Sequence, residues 1–127
     1  MEKFFYKGKL MGIRVRSFPE GLVALTDEKQ PLQILTLKHK KEKEVWPHFH
    51  KPTRRKTEAL QECVIVIEGK IKITLYGYDK KKFKEFYLKS GELFMLVDGG
   101  HSLKVIENAK IYEIKNGPYI DDREDIK

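Results

Sequence analysis

The stretch Glu62-Cys63-Val64-Ile65-Val66-Ile67-Glu68-Gly69-Lys70-Ile71-Lys72-Ile73-Thr74-Leu75 decides the fold class. Its first half, to Ile67, is apolar and β-branched, the composition of a strand against a core. Its second half alternates with period two. Ile71, Ile73 and Leu75 then share one face, and the lysines take the other. Glu68-Gly69 between them is turn chemistry, so the stretch reads as a β-hairpin.

The same pattern runs on toward the C-terminus. Gly77-Tyr78-Asp79-Lys80 is a turn, Phe83 to Leu88 a strand, Ser90-Gly91 a turn and Leu93 to Val97 a strand. Asp98-Gly99-Gly100 turns the chain into a strand from His101 to Ile106. Glu107-Asn108-Ala109 turns it again into Lys110 to Lys115, and Gly117-Pro118 stops the pattern. Toward the N-terminus, Gly12 to Phe18, Leu22 to Thr26 and Leu32 to Leu37 are candidate strands. No apolar stripe has helical period; a short helix near Thr57 to Gln61 is the one candidate. Short strands punctuated by turns indicate an all-β sandwich or barrel.

The 127 residues suit one domain, with a barrel core at about residues 12–116 and an acidic tail at about 117–127. No run approaches the roughly 20 apolar residues that span a bilayer. The first residues carry no apolar signal region, so a soluble, cytoplasmic protein is expected. Cys63 is the single cysteine. It sits in an apolar run and reads as a small buried hydrophobe rather than a nucleophile.

Net charge is +7, from 26 basic and 19 acidic residues. That balance suits an acidic ligand such as a phosphate or nucleotide, or a nucleic acid. The lysines are interleaved with glutamates, as in Lys40-Lys41-Glu42-Lys43-Glu44, or sit at a turn, as in Lys80-Lys81-Lys82. A solvated surface is the plainer reading. Tyr76, Tyr78, Phe83, Phe86 and Tyr87 on a basic sheet could stack bases. They alternate with core positions, so nucleic acid is not the expected partner.

Four histidines are present: His39, His48, His50 and His101. In an extended backbone His48 and His50 point the same way, with Phe49 turned aside. Two neutral imidazoles aimed at one point suit a divalent transition metal, which needs further ligands. Glu62 opens an apolar strand on the face of Val64 and Val66, and carboxylates are rarely buried without a partner. His101 shares a face with Leu103 and Val105. Each also has a structural reading: Glu62 as a hydrated strand end, His101 as a turn cap.

In their order along the chain these residues resemble the cupin superfamily. Its first motif runs G-x5-H-x-H-x3–4-E-x6-G, and its second G-x5-P-x-G-x2-H-x3-N. His48-Phe49-His50 supplies the H-x-H, Glu62 and Gly69 the E-x6-G, and Gly91, Gly99 and His101 the core of the second motif. Glu42 stands where the first Gly is expected, and Val97 and Val105 replace the Pro and Asn. Eleven residues separate His50 from Glu62, so Lys51 to Thr57 must loop out. The resemblance implies a double-stranded β-helix, or jelly-roll, barrel. It also implies one divalent ion (Fe, Mn, Ni, Zn or Cu) held by His48, His50, Glu62 and His101, and a homodimer. The implied ligand is a small polar molecule, with a sugar or sugar-nucleotide among the candidates. The protein would be an isomerase, epimerase or oxygenase, or a non-catalytic binding or sensor barrel.

Other residues could line such a pocket. Arg54 and Arg55, in the looped-out segment, have the fork geometry for carboxylate or phosphate. Trp46 would wall the pocket or join the core. Glu113 and Lys115 share a face opposite Tyr112 and Ile114. Facing inward they would be a charged pair at the site; an exposed outer face is the expectation.

Overall fold

The computed structural model describes all 127 residues and contains eight strands and no helix. The β-branched run and the alternating run are one strand, β5 (Glu62–Tyr76). Its core face carries Val64, Val66, Ile71, Ile73 and Leu75, the last four wholly buried. Each such side chain contributes on the order of 1.5–3 kcal/mol. The others are β1 (Glu2–Tyr6), β2 (Lys9–Val15), β3 (Gly21–Ala24), β4 (Leu35–Lys38), β6 (Lys82–Lys89), β7 (Leu93–Leu96) and β8 (Gly100–Lys115).

The expected hairpin at Glu68-Gly69 is therefore corrected to a bend. Gly69 has φ +86° and marks a run of register shifts between β5 and β8. A β-bulge of this kind bends a strand without reversing it. A Cβ at Gly69 would collide with the Asn108 carbonyl, so the facing strand passes too close for any side chain. The expected turn at Glu107-Asn108-Ala109 is corrected with it. Those residues lie inside β8, which follows β5 around the bend from Tyr76–Gly100 to Glu62–Lys115. On its other edge β5 pairs with β7 over Glu62–Ile65 and with β6 over Lys70–Tyr76. Across the gap, Val66 N–H donates to Glu92 O, Gly91 N–H to Val66 O, and the Ser90 hydroxyl to Ile67 O.

The register requires strong curvature. β7 ends at Leu96, beside Glu62, while β8 starts at Gly100, beside Tyr76 at the far end of β5. Only Val97, Asp98 and Gly99 lie between, a link reaching at most about 15 Å. A straight strand the length of β5 would span roughly 50 Å. The antiparallel sheet β1-β2-β7-β5-β6, with β8 on β5, is thus curled into half a barrel. Phe4, Phe86 and Phe94 fill its hollow. Phe4 stacks on Phe86 at 4.7 Å, and Phe94 meets Phe86 edge-on at 5.1 Å.

The all-β expectation holds. The barrel begins earlier than residue 12, because β1 and the start of β2 form its first hairpin. A bulge between Phe4 and Phe5 breaks the alternation that would have revealed β1. β3 and β4 form a separate two-stranded sheet. Residues 39–61 have no regular structure, and no helix forms at Thr57 to Gln61. The acidic tail is exposed, although Ile126 reaches back against Gly100. Cys63 is 1% exposed, as expected, and burial pushes its thiol up to about 12.

Candidate metal centre

Residues directly opposite on antiparallel strands share a face. Lys115 lies opposite Glu62, and Glu113 opposite Val64. Both therefore point to the core face of the sheet, overturning the expected outward orientation. They lie at the open rim of the half-barrel, which leaves them exposed all the same. His101 lies opposite Leu75, at the other end of β5. Curvature brings it back to Glu62: His101 Nε2 donates to Glu62 Oε2 at 2.9 Å. Lys115 Nζ sits 3.1 Å from Glu62 Oε1 and 3.9 Å from Glu113 Oε2. Ligand atoms of Glu62, His101 and Glu113 all lie within 4.8 Å of one another.

The Glu62 carboxylate is largely enclosed, with 14% of its side chain exposed. Its pKa is nonetheless held down to about 2. The hydrogen bond from His101 is the main cause and outweighs the burial penalty, and Lys115 adds to it. Lys115 is raised in turn, first by its hydrogen bond to Glu62. The sign for stability follows. Glu62 is harder to protonate folded than unfolded, so its contribution is full above its ordinary value of 4.5 and lost as pH falls toward 2. Urea unfolding of the wild type and Glu62→Gln should show this. The variant's stability should fall less steeply over that window; parallel curves would contradict the assignment.

Two residues hold the rim in place. Gln61 is 2% exposed. Its amide nitrogen donates to Gln30 and to the Val97 carbonyl, and its side-chain oxygen accepts from Leu32 N–H. The Gln61 backbone N–H donates to Asn116 Oδ1, and Asn116 Nδ2 donates to the Ala59 carbonyl. These bonds clamp the neighbours of Glu62 and Lys115 together. Neither residue was picked from the sequence, where amides carry no periodic signal. From the sequence Glu113 is expected on an outer face, with pocket lining as the alternative and no role as a metal ligand, because the β5–β8 register cannot be counted off before the bulges are known.

His48 and His50 stand apart from this cluster. Both are exposed in the irregular segment, with no hydrogen bond or ion pair to Glu62, His101 or Glu113. Their ring centroids are 5.0 Å apart. His48 Nδ1 donates to the Trp46 carbonyl at 2.7 Å, since a carbonyl can only accept. In the neutral ring that leaves Nε2 with a free lone pair. Trp46 is 82% exposed and joins no core, and Phe49 is fully exposed. Arg54 and Arg55 are also exposed; Arg55 donates only to the nearby Thr53 carbonyl.

Two carboxylates, an imidazole and an ammonium thus meet at one rim. Oxygen and nitrogen donors in that proportion suit a divalent transition ion. The ammonium of Lys115 occupies the side from which a cation would neutralise Glu62. No helix long and apolar enough to cross a membrane is present. No protein-family model, curated protein or solved structure matches the chain.

Proposed function

We propose that the chain is a metal-binding cupin of jelly-roll type, acting on a small polar molecule at the rim of its half-barrel. The observation that carries this reading is the convergence of Glu62, His101 and Glu113 on the core face, from opposite ends of β5. Such a group would hold one divalent transition ion. His48 and His50 are the proposed remaining donors, delivered by the irregular segment that runs directly into Glu62. The His48 bond to a backbone carbonyl supports them, since such a bond is the usual support of a metal-bound imidazole.

A bound ion at this rim would polarise a ligand oxygen. Lys115, freed from Glu62, would place a positive charge beside it. The test is elemental analysis of tag-free protein after gentle purification or metal reconstitution. About one equivalent of a transition metal, lost in a Glu62→Gln/His101→Ala variant, would support the rim site. Retention in that variant, or no uptake by the wild type, would overturn it. A His48→Ala/His50→Ala variant then decides separately whether the pair joins the ion.

A further inference from the structure

A second site lies away from the metal cluster. β7 runs from Leu93, beside Val15, to Leu96, beside Glu62. At its Leu93 end is a cavity of about 410 Å³ whose wall includes Glu2, Arg14, Arg16, Ser17, Lys89 and Glu92. Its cations are poorly matched. Arg14 and Arg16 both donate to one carboxylate oxygen, Glu2 Oε1, at 3.1 and 2.9 Å. Arg14 also donates to the Tyr87 carbonyl at 2.6 Å, and its buried Nε has no partner. Lys89 forms no ion pair with a side chain. It stands directly across from Lys70, which forms none either. Like charges directly opposed on a sheet are destabilising. Glu92 is buried, with Oε1 accepting from Lys89 N–H, so it offsets part of the charge from within the wall.

We propose that this cavity binds a phosphate group of a small phosphorylated molecule. Such a group is a compact anion with three strong acceptor oxygens. Arg16 presents a planar fork, Lys89 a point charge and Ser17 a hydroxyl, and these can meet a tetrahedral anion from separate directions. Its charge relieves the repulsion between Lys89 and Lys70. It also gives the second guanidinium the counter-ion that Glu2, shared between two, supplies only in part. Part of the +7 net charge thereby has a specific use.

Calorimetric titration of the full chain with inorganic pyrophosphate, at low ionic strength and with a chelator present, tests this independently of the metal site. Saturable one-site binding is expected. Arg16→Gln and Lys89→Gln should each weaken it by about tenfold, with the fold retained, since both side chains are exposed. Glu2→Gln, which releases the two guanidiniums, should tighten it. Lys104→Gln, another exposed lysine with no ion pair on the same sheet, is the control and should leave binding unchanged. No saturable binding would overturn the proposal. So would equal weakening by Lys104→Gln, which would make the attraction a property of the whole surface.

Discussion

Glu62→Gln is expected to weaken transition-metal binding by about 100-fold or more, and Lys115→Met to strengthen it by about tenfold. The two changes act on one contact. Glu62 Oε1 accepts from Lys115 at 3.1 Å, and Oε2 accepts from His101 at 2.9 Å. A divalent ion entering the cluster must replace the ammonium as partner of the carboxylate. Removing the carboxylate removes a charged ligand, and the neutral amide that replaces it binds transition ions poorly. Removing the ammonium removes a competitor and leaves the carboxylate available. Methionine keeps the length and apolar stem of lysine, so packing along β8 is preserved. Fluorescent-indicator competition with Zn²⁺ or Mn²⁺ reads both affinities. Opposite signs would identify Lys115 as a stand-in cation; loss of affinity in both variants would make it part of the scaffold.

Gly69→Ala is expected to destabilise the fold by about 2–4 kcal/mol, large for a single methyl group. Two costs add. The φ of +86° is one that an alanine adopts only under strain. The new Cβ also runs into the backbone of Asn108 and Ala109, which cannot rotate away as a side chain tip could. Relief requires β5 and β8 to separate at the bend, and with it the curvature that brings His101 to Glu62. Urea denaturation gives the magnitude. A change below about 0.5 kcal/mol, the ordinary scatter for surface positions, would show that the bend does not depend on this glycine.

The sequence reveals period and composition, and therefore the strands; it does not reveal which strand lies beside which. Alternation alone places Ile71, Ile73 and Leu75 on one face, away from the lysines, and all three are fully buried. Glu68-Gly69 reads as a hairpin turn and is a bend within β5, because composition does not separate a reversal from a corner. A reversal and a bulge both need a left-handed glycine, and only the partner strands distinguish them. Glu113 illustrates the same limit at the site. Its alternation with Tyr112 and Ile114 was visible, but which face was inward depended on the pairing of β8 with β5. Glu62 and His101 were legible because a carboxylate and an imidazole each stand on a face otherwise apolar. Gln61 and Asn116 were not, since their importance lies in backbone groups contributed by distant segments.

The pairing of β5 with β8 also has a consequence in time. Its rung at Tyr76–Gly100 closes the shortest loop of chain, and each later rung encloses more, up to Glu62–Lys115. Loop-closure entropy favours starting at the short end, so the ribbon should zip from Tyr76 toward Glu62. His101 belongs to the first rungs of that zipper, Glu113 and Lys115 to the last. The cluster is therefore the seam where the finished sheet meets its own beginning, and it exists only once folding is complete. A cation seated there would act as a clasp, slowing the opening of the final rungs far more than it hastens the closing of the first.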